Sequence, residues 1–341
     1  MAERLLTERA LNRALLARQL LLERARVPIP RALERVGGLQ TQYAPSGYVG
    51  LWTRLEGFER DALTRALERR TAVQGTLMRV TIHLVSAGDF WLFALGTRRA
   101  RREWFLRTHK VPERDMTRAA RRLRTALADG PKSVTELGDV VAGFLGNAGL
   151  WVDLVRVPPS ATWERRRADM LALAEDWLGP ANVTEEQGLD HLVRRYLGAF
   201  GPAPLADVAS WAGVPVTSLK PSLARLELRR FRDEAGKELL DLPRAPLPDP
   251  DTPAPVRFLP HWDACLLAHA RRTGLLPEEY RARMFHTKNP FSVGAVLVDG
   301  RVAGAWSLRD GRVVVDAYER LPRPIRDDIE EERERLGAFH A

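Results

Sequence analysis

The stretch from residue 189 to residue 240 constrains the fold more than any other. A helical run over residues 189–200 stops at Gly201-Pro202-Ala203-Pro204. A short helix at 205–212, a turn at Gly213-Val214-Pro215 and a second helix at 216–226 follow, and two β-rich runs at 228–232 and 237–240 flank Asp233-Glu234-Ala235-Gly236. Helix, helix, tight Gly turn, helix and two-stranded wing is the order of a winged helix-turn-helix. The same order is expected twice upstream. Residues 3–24 read as one amphipathic helix, 31–36 as a short helix behind Pro30, and 71–79 and 80–85 as a hairpin leading into a helix capped at Ser86-Ala87-Gly88-Asp89. The second unit has a helix at 114–128, a capping-box helix start at Ser133-Val134-Thr135-Glu136, strands at 150–157 and 161–163, and a helix at 168–178. Each unit's short helix ends on Gly (Gly37, Gly143 and Gly213), as a left-handed helix terminus favours.

The expected class is therefore α+β, mostly α: three tandem winged helix-turn-helix domains at 1–110, 111–183 and 184–341. The last carries a C-terminal extension. Six prolines between 241 and 257 mark a stiff crossing segment, Asp299-Gly300 and Asp310-Gly311 are hairpin turns, and a charged helix at about 324–336 closes the chain.

Three such domains make nucleic acid the default ligand, and the charge agrees. The net charge is +9, and only five of the 53 basic residues are Lys, so the excess is Arg, which forks phosphate and stacks on bases. A genomic bias toward Arg codons accounts for part of it. The helix at 216–226 offers Lys220 and Arg225 to DNA, a thinly basic set. One cysteine, Cys265, excludes a disulfide framework or thiolate metal site. His261, Asp263 and His269 fit no zinc spacing, and no Gly-rich phosphate loop or Ser-His-Asp motif is present, so neither metal nor cofactor is expected. A charged helical N-terminus and the lack of a long apolar run predict a cytoplasmic, nucleoid-associated monomer.

The candidate chemistry lies in Gly37-Gly38-Leu39-Gln40-Thr41-Gln42-Tyr43-Ala44-Pro45. In an extended segment, Gln40 and Gln42 project the same way and can hold one water between two amides. Glutamine does not titrate, so the pair suits a reaction whose leaving group is already activated. The plain alternative is two polar loop residues. Arg79-Val80-Thr81-Ile82-His83 alternates, which places Arg79, Thr81 and His83 on one strand face beside the glutamines, as a DNA-lining face or a merely solvated one.

The stretch 38–45 and Gly75-Thr76-Leu77-Met78-Arg79-Val80-Thr81-Ile82-His83-Leu84-Val85 resemble the AlkZ/YcaQ family of bacterial DNA glycosylases. So do Leu259-Pro260-His261-Trp262-Asp263-Ala264-Cys265-Leu266-Leu267 and Val298-Asp299-Gly300-Arg301-Val302-Ala303-Gly304-Ala305-Trp306. The resemblance covers nearly the whole chain. It implies three winged helices in a C-shape with a DNA channel on the concave face, and His261 and Arg301 among the DNA-binding residues. Gln40 and Gln42 match the Gln-x-Gln motif of the AlkZ-like branch, although Thr41 is more polar than the usual middle residue. The implied activity is excision of N7-alkylated purines and unhooking of interstrand crosslinks, on duplex DNA and without a cofactor. The competing class is a non-catalytic winged-helix regulator or damage-binding factor, which shares fold and charge and differs only in the role of the glutamines.

Overall fold

The computed structural model describes residues 4–141, 143–267, 274–285 and 293–341. The first unit opens with β1 (Arg4–Leu6) and α1 (Glu8–Arg18), where a single helix is expected over 3–24. Thr7 caps α1, its hydroxyl accepting from the Ala10 N–H at 3.2 Å, and the helix ends where Leu20 turns left-handed at φ 58°. Then come α2 (Ile29–Val36), β2 (Leu39–Gln40), α3 (Pro45–Trp52), α4 (Arg60–Glu68), β3 (Ala72–Thr76), β4 (Ile82–Ser86) and the long α5 (Ala87–His109). Gly37 (φ 75°) ends α2 in the left-handed region. Gly38 (φ 80°) lies so close to β4 that a Cβ there would sit 2.9 Å from Val85 Cγ1. Neither position accepts another residue without strain.

The second unit is α6 (Glu113–Ala126), β5 (Lys132–Ser133), α7 (Val134–Leu137), β6 (Leu154–Arg156), β7 (Met170–Leu173) and α8 (Ala174–Leu178). Two expectations fail here. Residues 161–163 form a turn, with Ala161 at φ 57°, and the helix expected from 168 begins as a strand. Met170-Leu171-Ala172-Leu173 favours helix by composition, but pairing with β6 (Leu154↔Leu173, Arg156↔Leu171) overrides propensity.

In the third unit α9 (Glu185–Phe200) starts four residues earlier than expected, and α10 (Leu205–Ala212), α11 (Val216–Arg225), β8 (Arg229–Asp233) and β9 (Glu238–Asp241) lie within one residue of their expected bounds. Beyond it lie β10 (Arg257–Leu259), α12 (Ala264–Leu267), α13 (Arg281–Met284), β11 (Gly294–Val298), β12 (Arg301–Arg309), β13 (Arg312–Ala317) and α14 (Arg323–His340).

The units interlock. The wings of the first two merge into one antiparallel sheet, in the order β2-β4-β3-β6-β7-β5. β1 adds in parallel to the third wing (β1-β8-β9), and β10 to β13 form a separate meander. The Arg18 guanidinium at the end of α1 forks the Asp241 carboxylate of β9 at 2.7 and 3.1 Å, both side chains fully buried. Helix α9 is the hub, packed against α1, α2, α5, α10 and α11. It meets α5 backbone to backbone, since a Cβ on Gly188 would lie 2.5 Å from the Gly96 nitrogen and 2.6 Å from the Leu92 carbonyl oxygen.

That crossing yields a contrast in stability. Gly188→Ala should destabilise the fold by about 1–3 kcal/mol or more, because only backbone can give way. Gly337→Ala, on an α14 face with nothing within 4 Å, should stabilise by about 0.5–1 kcal/mol through helix propensity. Thermal unfolding of the two variants checks both signs.

Candidate active site

Strand β2 pairs with β4, setting Leu39 opposite Leu84 and Gln40 opposite His83, and the Thr41 N–H donates to the Ile82 carbonyl at 2.8 Å. The backbone is thus pinned up to Thr41. The Thr41 side chain points inward, buried against Gly47, where a Cβ would lie 2.9 Å from its methyl. Gln40 and Gln42 share the opposite side. Gln40 is buried and Gln42 exposed, and the Gln40 amide N–H donates directly to the Gln42 side-chain oxygen. The sequence suggests a water held between two separate amides; here the amides touch each other.

Arg79 fixes which way both amides face. Its guanidinium donates to Gln40 Oε1 at 2.9 Å and to the Trp211 carbonyl near the end of α10. Arginine has donors only, so Gln40 must present its oxygen to Arg79, its NH2 must then face Gln42, and Gln42 must answer with oxygen. Among the described residues nothing engages the Gln42 NH2 or the second lone pairs of both oxygens, which a ligand can use.

Arg79 is not on a strand, as the alternation implies. The β3–β4 connection is a tight turn in which Arg79 (φ 52°) and Val80 (φ 58°) are both left-handed. A β-branched residue there is strained, and such strain persists where packing dictates it. The packing comes from the third unit: a Cβ on Gly213 would lie 2.9 Å from the Arg79 nitrogen. Thr81 lies just outside β4, its hydroxyl donating to the Met78 carbonyl at 3.0 Å. His83 is in β4 and buried, its Nδ1–H donating to the Thr81 carbonyl at 3.0 Å. Burial, helped by the Arg79 charge, lowers its pKa to about 3.

Tyr43, beside Gln42, is half-exposed, receives a 3.1 Å hydrogen bond from Arg166 and meets the His261 ring edge-on at 6.1 Å. Burial lowers the His261 pKa, and its ring also abuts Trp306 at 5.5 Å. The other expected DNA contacts lie apart. Lys220 is exposed on α11. Arg225 forks Asp190 at 2.7 and 3.0 Å, and Arg301, exposed at the β11–β12 turn, faces Glu8 at 4.0 Å. Sequence reasoning missed α3, the Arg166–Tyr43 bond and Arg156, although one Arg within the apolar Leu154-Val155-Arg156-Val157 run is a visible anomaly. Gln42 lines a cleft of about 270 Å³ with Val80, Ile82, Phe90, Arg101 and Arg156. Among the described residues no group of His, Cys, Asp or Glu could hold a metal, and no helix is long and apolar enough to cross a membrane; His269 lies outside the described residues.

A cluster of two amides, one arginine and a neutral histidine can orient a water and present carbonyl dipoles to a developing positive charge. It cannot donate or take up a proton near neutral pH.

Comparison with known proteins fits this chemistry. A family model described as DNA glycosylase AlkZ-like matches residues 33–339. Among solved structures, Streptomyces sahachiroi DNA glycosylase AlkZ superposes with a TM-score of 0.81 at 18% identity, covering 98% of this chain and 97% of that one; at this identity the likeness speaks to the fold. No curated protein matches the sequence.

The histidine carries a pH prediction. The folded chain resists protonating His83 down to about pH 3, whereas the unfolded chain takes that proton near 6.5. The contribution of neutral His83 to stability is complete above about pH 6.5 and is lost progressively as pH falls toward 3. Its ring signals in NMR should therefore not titrate between pH 8 and 5. A midpoint near 6.5 would show His83 open to solvent.

Proposed function

The chain belongs to the AlkZ-like family of DNA glycosylases, and on that premise we propose that it removes N7-alkylated purines from duplex DNA by hydrolysis at a water positioned by Gln40 and Gln42. The observation that supports this reading is the amide pair, oriented by Arg79 and open to solvent through Gln42.

The chemistry suits groups that do not titrate. Alkylation at N7 makes the purine a cation. When the bond between N9 and the sugar C1′ breaks, its electron pair neutralises the base, which leaves without an acid. The sugar becomes an oxocarbenium ion, toward which the free lone pairs of Gln40 and Gln42 direct negative partial charge. The water oxygen bonds to C1′ and its proton passes to solvent, since neither amide can keep it. An unmodified purine would leave as an anion, for which the site provides no acid. Selectivity thus follows from the weakness of the bond broken.

The site is an edge and not an enclosed chamber: Gln42 and Tyr43 are both open to solvent. A base tethered to the opposite strand cannot be fully extruded, so an open site suits interstrand crosslinks as well as simple adducts.

Single-turnover excision of N7-methylguanine tests the reading. Gln40→Ala and Gln42→Ala should each slow the reaction about 10²- to 10³-fold. The double variant should lose little more than the worse single, because both residues act on one water. DNA affinity should barely move, since neither amide neutralises a phosphate. A double variant that excises at the wild-type rate would remove the pair from the mechanism.

A further inference from the structure

The cleft beside Gln42 contains a cation that has no partner among the described residues. Arg156 stands on β6 between Gln74 of β3 and Leu171 of β7, at the centre of the merged sheet. It lines the same cleft as Gln42, Val80, Arg101, Asp153 and Leu154. Among the described residues no hydrogen bond or ion pair engages its guanidinium, and its Nε is buried with no acceptor. Its neighbour in the cleft differs. Arg101 donates to the Thr76 and Ala94 carbonyls and lies 3.9 Å from Asp153, a carboxylate that also binds Arg98. Asp153 is therefore shared by two arginines already, and Arg156 is left over.

Arg156 is part-buried, with its Nε enclosed and the end of its guanidinium open to the cleft; holding a charge there without a partner is costly, and an anionic ligand entering the cleft would offset that cost. Burial alone lowers the Arg156 pKa, to about 10, which leaves it charged at neutral pH. The ligand must then be an anion. The cationic purine is excluded, because it would face Arg101 and Arg156 together. The anion that DNA brings to this position is its own backbone.

We propose that Arg156 grips a backbone phosphate of the lesion-bearing strand in the cleft beside Gln42, and so sets the register of the sugar against the amide pair. This rests on the glycosylase reading above. Arg156 is a positioning residue: it holds the strand, while the amides face the bond that breaks. The terminal NH groups of the planar guanidinium, which are open to the cleft, can fork two phosphate oxygens, which Lys cannot do. Stability and binding then make opposite demands on one side chain. A neutral residue of similar volume should suit the free protein better and DNA worse.

Arg156→Met and Arg156→Lys, tested on duplexes carrying one neutral methylphosphonate linkage at successive positions around an N7-methylguanine in either strand, decide the matter. Arg156→Met should bind the lesion duplex about tenfold more weakly, with the slope of log affinity against log salt reduced by about one, and Lys should recover part of the loss. One linkage flanking the lesion in its own strand should weaken the wild type by a similar factor and Arg156→Met no further. The melting temperature of Arg156→Met should stay level or rise. The proposal is overturned if the variant and every linkage act independently, if only a linkage in the opposite strand shows the coupling, or if Arg156→Met binds normally. It is equally overturned if Arg156→Met melts lower, since Arg156 then serves the fold. These readouts are binding and stability, so failure of the glutamine pair in excision would leave them unaffected and distinguishable.

Discussion

The backbone crossing of α5 and α9 at Gly96 and Gly188 is the constraint on which the rest of the molecule depends. No side chain separates the two helices there, so α9 lies as near to α5 as backbone permits. Helix α5 continues directly from β4, the strand that pairs with Gln40. Helix α9 packs on α10, and the Trp211 carbonyl near its end and the following Gly213 meet the Arg79 turn. A crossing wider by one methyl group would move the third unit away from the first, and the site would lose the acceptor that holds Arg79. Two glycines thereby determine where the arginine of the candidate site can stand.

From that junction the site is built by exclusion of alternatives. Arg79 can only donate, so Gln40 has one orientation and Gln42 follows. The strain of two left-handed residues at Arg79 and Val80 is held in place by the Gly213 contact and the surrounding turn hydrogen bonds. His83 lies beneath, opposite Gln40, and burial keeps it neutral. The result is a polar cluster of fixed geometry whose charge does not change near neutrality. This suits a reaction in which the substrate already carries the positive charge that drives base loss.

Much of this was legible in the sequence, for physical reasons that differ by element. The helix ends of the third unit are legible because their punctuation is local, Gly201-Pro202 and Gly213 stopping the helices before them, whereas α9 starts at Glu185, four residues before the expected 189. The glutamine pair was legible because alternation in an extended segment is a backbone property. The strand at 170–173 was not, since its partner β6 lies some fifteen residues upstream and overrides the helical preference of its Met, Leu and Ala. The first helix was overextended because nothing local announces the left-handed Leu20 or the pairing of β1 with β8. Alternation predicts Arg79 on a strand face beside the glutamines, whereas a strained turn delivers its guanidinium to Gln40. Arg225 is legible as a basic residue of the helix at 216–226, but its fork with Asp190, 35 residues earlier, is not. Local rules see neither partner.

The central claim is that Arg79, Gln40 and Gln42 act as one oriented chain of hydrogen bonds. A double-mutant cycle on single-turnover excision, pairing Arg79→Met with Gln40→Ala, measures this most directly. Arg79→Met alone should slow excision about 10- to 100-fold, on the scale of a lost positioning contact, with DNA affinity nearly unchanged. In the Gln40→Ala background it should have almost no further effect, because the amide it orients is gone. If the two losses multiply, or if Arg79→Met weakens DNA binding while excising bound DNA at the normal rate, Arg79 serves the DNA and not the amides, and the account fails.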